Sequence, residues 1–321
     1  MRGAASFMGD AGALPYIAPM KRLAAPLLAA AMALPATARA PAPVNLIDQG
    51  ANMAVLNAQT YDGHPDYVVP PAPAGATQFA FNMKGYVFGL RLVKANYIGY
   101  AGDDSYAAYT DVKTSGLGAL LKKMEIWSVT KGRVAPDGSL RPDFHVQQNT
   151  DKKNRRVEMV YDNAARSVDV DIRPRLGSQG VPPATPAERF AAYDTVTALM
   201  HMTRRGKDVC TGSIPVFDSK QRYNLRLAPV GDARVKYLGD KQPALHCHVY
   251  YEPIAGYDPE DLPSAEEEAT PVDVYFRYFP EVDMHVPVRF AYSVSGFKAI
   301  VKLSDILFVK PDGAVFVPPE S

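Results

Sequence analysis

Short runs of alternating apolar and polar residues repeat along most of this chain, and turn residues separate them. In the run 166–172, for example, Val168, Val170 and Ile172 share one face while two aspartates take the other. Comparable runs, rich in aromatic and β-branched residues, occupy 79–83, 86–98, 106–112, 123–134, 143–148, 156–161, 214–217, 222–227, 234–238, 244–251, 272–279, 286–294 and 297–308. The pattern predicts a mainly β chain that folds as an antiparallel meander, with one face of the sheet buried and the other wet.

One segment has helical periodicity instead. Its start, Thr185-Pro186-Ala187-Glu188, has the form of a capping box with proline at the first helical position. Apolar residues then recur at helical spacing as far as Arg204, and Asp194 is a rival N-cap if the helix begins later. We expect the apolar side of this short helix to cover or plug one end of the sheet.

The N-terminal region has the composition of a targeting segment. Residues 20–40 comprise a Lys-Arg pair, a short apolar run and a small-residue site, which are typical of a signal peptide cleaved near Ala40. The basic pair follows Met20 rather than Met1, so we expect translation to start at Met20. The prediction is export to the periplasm. Residues 41–77, rich in Pro and Ala, predict an extended segment that buries little.

Charge and composition exclude several classes of partner. The formal net charge of +1 lacks the strong positive balance that is typical of nucleic-acid-binding proteins. The apolar run of the signal region is too short to span a membrane, so no transmembrane segment is predicted in the mature chain. No cysteine follows that run, so a lipid anchor is not expected. The acidic stretch 255–270 lacks the spacing of a calcium-binding loop and is expected to be a solvated loop.

The two cysteines, Cys210 and Cys247, both follow the signal segment. In an exported protein such a pair is expected to form a disulfide, which stabilises the fold by about 4 kcal/mol in the chain-entropy picture. Two buried free thiols are the alternative. The spacing excludes a Cys-x-x-Cys redox motif.

The sequence His246-Cys247-His248 is the best candidate for a metal site, because alternation in a strand places both imidazoles on one face. Two histidines supply half of a tetrahedral shell, and Asp283 and His285 on a later strand could complete it. Since nothing in the sequence places the second pair nearby, we predict surface histidines and no bound metal or other cofactor. No Gly-x-Ser-x-Gly elbow or Gly-rich phosphate loop is visible, so we do not expect an enzyme.

Five segments, 88–92, 114–117, 194–199, 216–227 and 286–289, occur in order around the two cysteines. Together they resemble the signature of exported bacterial proteins grouped as domain of unknown function 3108. In this chain Ser219 stands where that family more often has Gly. The resemblance covers about 79–307 and implies an antiparallel, partly open β-barrel or strongly curved sheet. We therefore expect a single domain over 78–310 and a tail over 311–321; the resemblance implies no activity, cofactor or catalytic residue.

Aromatic residues supply the remaining functional signal, since 18 Tyr and 13 Phe suit the interior of a curved sheet. The residues expected to face inward and line a binding cavity are Phe81, Phe88, Tyr97, Trp127, Phe276 and Phe290. They predict an envelope protein that binds an apolar or amphipathic, lipid-like ligand. One alternative is a structural or assembly factor that contacts other envelope proteins, and another is a hydrolase without a recognisable motif. A large enclosed apolar volume favours the ligand, whereas a filled interior with an exposed apolar edge favours a partner.

Overall fold

The computed structural model describes residues 69–318 except 117, 120–123, 150–153, 205, 207 and 295. The predicted signal peptide and cleavage site, and residues 41–68 of the Pro- and Ala-rich segment, lie outside the described residues. Within them the strands are β1 Thr77–Val87, β2 Leu90–Ala101, β3 Ser105–Thr114, β4 Glu125–Val134, β5 Leu140–Asn149, β6 Arg155–Asp162, β7 Ser167–Arg173, β8 Ser213–Phe217, β9 Arg222–Tyr237, β10 Asp240–Ala255, β11 Val272–Phe279, β12 Met284–Val294, β13 Phe297–Val309 and β14 Val315–Phe316. The helices are α1 Pro186–Phe190, α2 Thr195–Arg204 and α3 Ala265–Ala269.

All fourteen strands form one antiparallel sheet. Its order is β7-β6-β5-β4-β3-β2-β1-β13-β12-β11-β10-β9-β8, with β14 paired to β13. Each half of the chain is thus a meander of consecutive strands, and the first and last long strands pair at the centre, where Phe81 lies opposite Ile306. The mainly β, antiparallel prediction is confirmed, and the sheet is curved but not closed.

The two edges of the sheet, β7 and β8, are bridged by the connection between them. Side chains of β6 and β7 share one core cluster with Ala192 of the connection and Phe217 of β8. Helix α1 reaches both sides, because Arg166 beside β7 stacks on Phe190 and Arg189 stacks on Phe217. The gap in the barrel-like sheet is therefore filled by packed side chains.

The predicted single helix is two helices. Thr185 caps α1 with the expected capping box, but the chain leaves the helix at Ala191 and re-enters after Asp194, which caps α2. The rival cap noted in the sequence is therefore also used. Helix α2 packs inside the sheet against β12, β8 and β3 to β5, and Met200 and Met202 are among its buried residues.

Two further expectations need correction. The acidic stretch 255–270 contains a 3₁₀ turn, Pro259–Asp261, and helix α3, because Ser264 and Glu267 form a capping box. The Pro-rich segment before β1 buries more than expected. Val69 and Ala76 pack on the convex face of the sheet beside Trp127. Short local motifs and one apolar contact thus order segments whose composition is typical of loops.

Candidate functional site

The interior holds a buried polar cluster around Asp194. Its Oδ1 accepts hydrogen bonds from the backbone N–H groups of Val196 (3.0 Å) and Thr197 (2.9 Å). Its Oδ2 accepts from the hydroxyls of Thr197 (2.5 Å) and Thr130 (3.1 Å), and Nδ1 of His145 lies 3.0 Å from Oδ1. Burial raises the pKa of Asp194, but His145 and the hydrogen bonds from Thr197 outweigh burial and lower it below its usual value. The cluster therefore anchors α2 through an ionised, fully partnered carboxylate.

An apolar pocket lies between α2 and the concave face of the sheet. Its free volume is about 40 Å³, enough for one or a few water molecules. The hydroxyl of Tyr97 is buried there without a hydrogen-bond partner among the described residues, and burial followed by the charge of Asp194 raises the pKa of Tyr97. Pockets for small-molecule ligands usually measure about 300–1,000 Å³. The pocket is thus far smaller than an acyl chain requires.

The structure separates the six aromatic residues expected to line a cavity. The four that face inward are Phe81, Tyr97, Phe276 and Phe290. All but Phe276 line the apolar pocket, and Phe276 forms part of a separate open cleft of about 600 Å³. Trp127 lies on the convex face, because Ser128 and Thr130 are the inward residues of β4, and Phe88 lies in the β1–β2 turn. The inward positions predicted for Trp127 and Phe88 are wrong.

Phe88 belongs to an exposed apolar tip, which we define as Phe88, Leu90 and Phe297. Phe88 is 64% exposed and Leu90 51%, and the rings of Phe88 and Phe297 meet edge to face with centroids 5.8 Å apart. Phe88 and Gly89 both have positive φ, 50° and 80°, as in a type I′ turn. That turn favours Asn-Gly, and a bulky side chain at positive φ is strained. An aromatic residue is therefore displayed in solvent at a position that folding alone disfavours.

A row of basic side chains crosses the convex face behind this tip. We define the basic row as Arg289, Lys302, Lys84, Lys94 and Lys113, which lie directly opposite one another on β12, β13, β1, β2 and β3. Like charges placed directly opposite across strands destabilise a sheet. Within the described residues, Asp111 and Glu125 form ion pairs with Lys113 at one end of the row, and Glu125 also interacts with the charge of Lys94.

Beside the row, Arg91 and Lys298 are exposed next to the tip itself. Within the described part of the chain, Lys84, Lys94 and Lys302 have no ion-pair partner; Lys302 lies over the ring of Tyr86. The convex face therefore presents an apolar tip with two exposed basic residues next to it and a row of basic side chains behind it.

His246 and His248 face the same side of β10, as predicted, and a third residue joins them. Asp273 lies opposite His248 on β11, with its Oδ1 2.7 Å from Nε2 of His246 and 3.3 Å from Nε2 of His248. The partners considered from the sequence do not approach. Asp283 accepts a hydrogen bond from Tyr278 at the β11–β12 turn, and His285 packs on the same tyrosine. Asp283 and His285, which the sequence left open as a second pair, lie outside this cluster.

Cys247, between the two histidines, faces inward and forms the predicted disulfide with Cys210. The Cα atoms are 5.3 Å apart, within the range of a disulfide. Because Cys210 follows α2, the bond ties the end of the helical connection to the strand that carries the histidines.

Several of these features were missed in the sequence. His145 and Thr130, which contact Asp194, are distant from it in sequence. They could have been identified only by knowing which residues of β4 and β5 face inward. Asp273 required knowledge that β10 pairs with β11. The basic row could not be recognised in the sequence, because its members are scattered singly over five strands.

The architecture defines a class of protein: a disulfide-linked, barrel-like antiparallel sheet with a helix packed inside. The family described as "Protein of unknown function (DUF3108)" matches residues 81–292, more than half of the chain. This chain belongs to that family. The resemblance noted in the sequence is thus confirmed.

Two solved structures resemble this fold at low identity. A beta-barrel-like protein of Domain of Unknown Function DUF1849 from Brucella abortus has 10% identity and a TM-score of 0.38, with 72% of this chain and 96% of that chain covered. A protein proposed to be a lipoprotein, from Parabacteroides distasonis ATCC 8503, has 8% identity and a TM-score of 0.26, with 71% and 94% covered. No curated protein matches this chain. Among the described residues, no helix has the length and apolarity to cross a membrane.

Proposed function

We propose that this protein is an exported envelope protein that binds an amphipathic ligand at its surface, namely the lipids of an anionic membrane. The observation that carries the proposal is the exposed apolar tip in a strained turn, with exposed Arg91 and Lys298 next to it and the basic row behind it. The disulfide is consistent with export. The proposal keeps the amphipathic ligand expected from the sequence but moves its site from the interior to the convex face.

The spacing of the two features suits a lipid interface. Arg91 and Lys298 adjoin the tip, whereas Lys84 and Lys94 lie four residues behind Phe88 and Leu90, about 13 Å along the strands. Peripheral elements bury their apolar residues about 5–10 Å into the boundary between headgroups and acyl chains. Arg91 and Lys298 then reach the phosphates, and the row stays within a Debye length of the surface. Each basic residue near such a surface contributes about 1 kcal/mol.

The glutamates of helix α3 lie on the opposite side of the sheet from the basic row. Helix α3 carries Glu266 and Glu267 close to Tyr292, a residue of the interior core, and burial together with these carboxylates raises the pKa of Tyr292 to about 12. The carboxylates therefore lie on the concave side of β12, whereas Lys302 lies on the convex side. We expect the protein to tilt so that the convex face near β1 and β13 approaches the membrane.

The small volume of the apolar pocket beside α2 supports a surface role. The apolar pocket of about 40 Å³ would have to expand several-fold to admit an acyl chain. Helix α2, which forms one wall, is held at its start by Asp194 and beyond its end by the disulfide. Opening the pocket would therefore disturb buried contacts, whereas the tip is already in solvent.

The proposal is tested by sedimentation with vesicles of phosphatidylglycerol and phosphatidylcholine or of phosphatidylcholine alone. We expect binding to the anionic vesicles only, weakened by added salt. Phe88→Asn should lower the affinity about tenfold, because a buried aromatic side chain contributes about 1.5–3 kcal/mol. The same substitution suits the type I′ turn, so the fold should be at least as stable as the wild type. Lys94→Gln should weaken binding about fivefold.

Leu262→Ser and Lys236→Gln are the matched controls, since both residues are exposed far from the tip in sequence. Equal binding to neutral vesicles, or no loss in Phe88→Asn, would refute the proposal. Tip-dependent capture of an envelope protein without vesicle binding would favour the assembly factor. A lipid that co-purifies equally with the Phe88→Asn variant, detected by native mass spectrometry, would favour an interior ligand.

A further inference from the structure

We propose that His246, His248 and Asp273 form a binding site for a divalent transition metal of the zinc class. One ligand atom from each residue lies within 4.8 Å of the other two. Alternation along β10 and pairing with β11 bring them to one face, so no loop has to fold around the ion. The inference does not depend on the membrane proposal.

The separations are close to those of a metal site. In a tetrahedral zinc site with bonds of about 2.0–2.1 Å, neighbouring ligand atoms lie about 3.3 Å apart. Nε2 of His248 already lies 3.3 Å from Oδ1 of Asp273, and Nε2 of His246 lies 2.7 Å from the same oxygen. A small rotation of the His246 and Asp273 side chains therefore makes room for the ion.

Neighbouring groups support the His246 ring and the strand that carries both histidines. Tyr275 on β11 stacks on the His246 ring, with centroids 4.4 Å apart and an interplanar angle of 13°. The disulfide at Cys247 fixes the strand between the two histidines. Because Cys247 is in the disulfide, no thiolate competes for the metal.

The donor set selects the metal. Two imidazoles and one carboxylate suit Zn²⁺, Co²⁺, Ni²⁺ or Cu²⁺, whereas Ca²⁺ and Mg²⁺ require mainly oxygen ligands. Three protein ligands leave the fourth position to water or to an external group. All three side chains are partly exposed, so an ion can enter without unfolding.

The alternative is a surface cluster in which both histidines only hydrogen-bond to Asp273. A metal site and a hydrogen-bonded cluster are distinguished by titrating zinc into tag-free, chelator-treated protein with its disulfide intact. Isothermal titration calorimetry at neutral pH measures the binding. We expect one zinc ion per chain. Asp273→Asn and His248→Ala should each lower the affinity at least tenfold, while circular dichroism stays that of the wild type.

Asp283→Asn and His285→Ala are matched controls, because they are the same residue types on the neighbouring strand and turn but outside the cluster. They should leave zinc affinity unchanged. Absence of zinc binding to the folded wild type, or equal affinity in Asp273→Asn, would overturn the assignment. Cobalt gives an independent readout, since a four-coordinate site should produce visible absorption that Asp273→Asn abolishes.

Discussion

The same pair of side chains, a histidine and an aspartate, occurs in two regions of this molecule with different consequences. In the interior, Nδ1 of His145 lies 3.0 Å from Asp194, and neither side chain is more than 3% exposed. On the convex face, Nε2 of His246 lies 2.7 Å from Asp273, and their side chains are 17% and 37% exposed. Distance alone therefore does not separate the two pairs.

The difference lies in what fills the remaining lone pairs. Asp194 accepts hydrogen bonds from two backbone N–H groups and two hydroxyls, and the His145 ring lies against the same carboxylate, so no acceptor position is left for a ligand. Among the described residues, Asp273 forms ion pairs with the two histidines, and its side chain is partly exposed to solvent. A buried carboxylate whose acceptor positions are all used holds the fold, whereas a partly exposed carboxylate beside two histidines is accessible from solvent.

The largest expected effect comes from breaking the interior pair. Asp194→Ala removes the N-cap of α2 and leaves His145 buried without its partner, so the free energy of unfolding should fall by about 3–5 kcal/mol. Urea denaturation followed by circular dichroism measures the loss. A decrease below about 1 kcal/mol, the range of a surface pair, would show that the cluster does not anchor the helix.

Sequence reasoning succeeded where the cause is local. The strands, the capping box at Thr185, the alternative cap at Asp194 and the disulfide all follow from periodicity, short motifs or cysteine count. It failed where the position of a residue depends on which face of a strand it occupies or on which strands pair. Trp127 is a large apolar residue of the kind expected inside the sheet, but in the alternation of β4 it falls on the convex face. Asp273 joins the histidines only because β10 pairs with β11. Phe88 was misplaced because turns end the alternation.

The next effect is expected from the disulfide, which anchors the exposed cluster from behind. Replacing both Cys210 and Cys247 by serine removes a constraint on a loop of 37 residues, so the free energy of unfolding should fall by about 4 kcal/mol. Thermal unfolding of the double variant against the wild type tests this. The variant should also bind zinc more weakly, since the strand between the histidines is less fixed. An unchanged melting temperature would contradict the expected stabilisation.

A smaller, pH-dependent effect sharpens the role of Asp194. Its pKa is lowered in the folded protein, so its charge stabilises the fold above the ordinary value of 3.8, and this contribution is lost as the pH falls through the lowered pKa. Asp194→Asn has no such titration. The difference in unfolding free energy between wild type and Asp194→Asn should therefore shrink as the pH falls below about 4. A difference that grows on acidification would mean that the carboxyl is stabilised as the neutral acid.

The smallest effect is expected at the exposed pair. Without metal, Asp273→Ala should change the free energy of unfolding by less than about 1 kcal/mol, because partly exposed charges lose little when a partner is removed. With zinc in excess, the wild type should melt at a higher temperature while Asp273→Ala does not shift, since a ligand stabilises only the state that binds it. Differential scanning fluorimetry with chelator and with zinc measures both quantities on one sample. If Asp273→Ala is much less stable than the wild type in the presence of chelator, the His246–Asp273 pair is a structural anchor like the interior pair. The contrast between the two regions would then be lost.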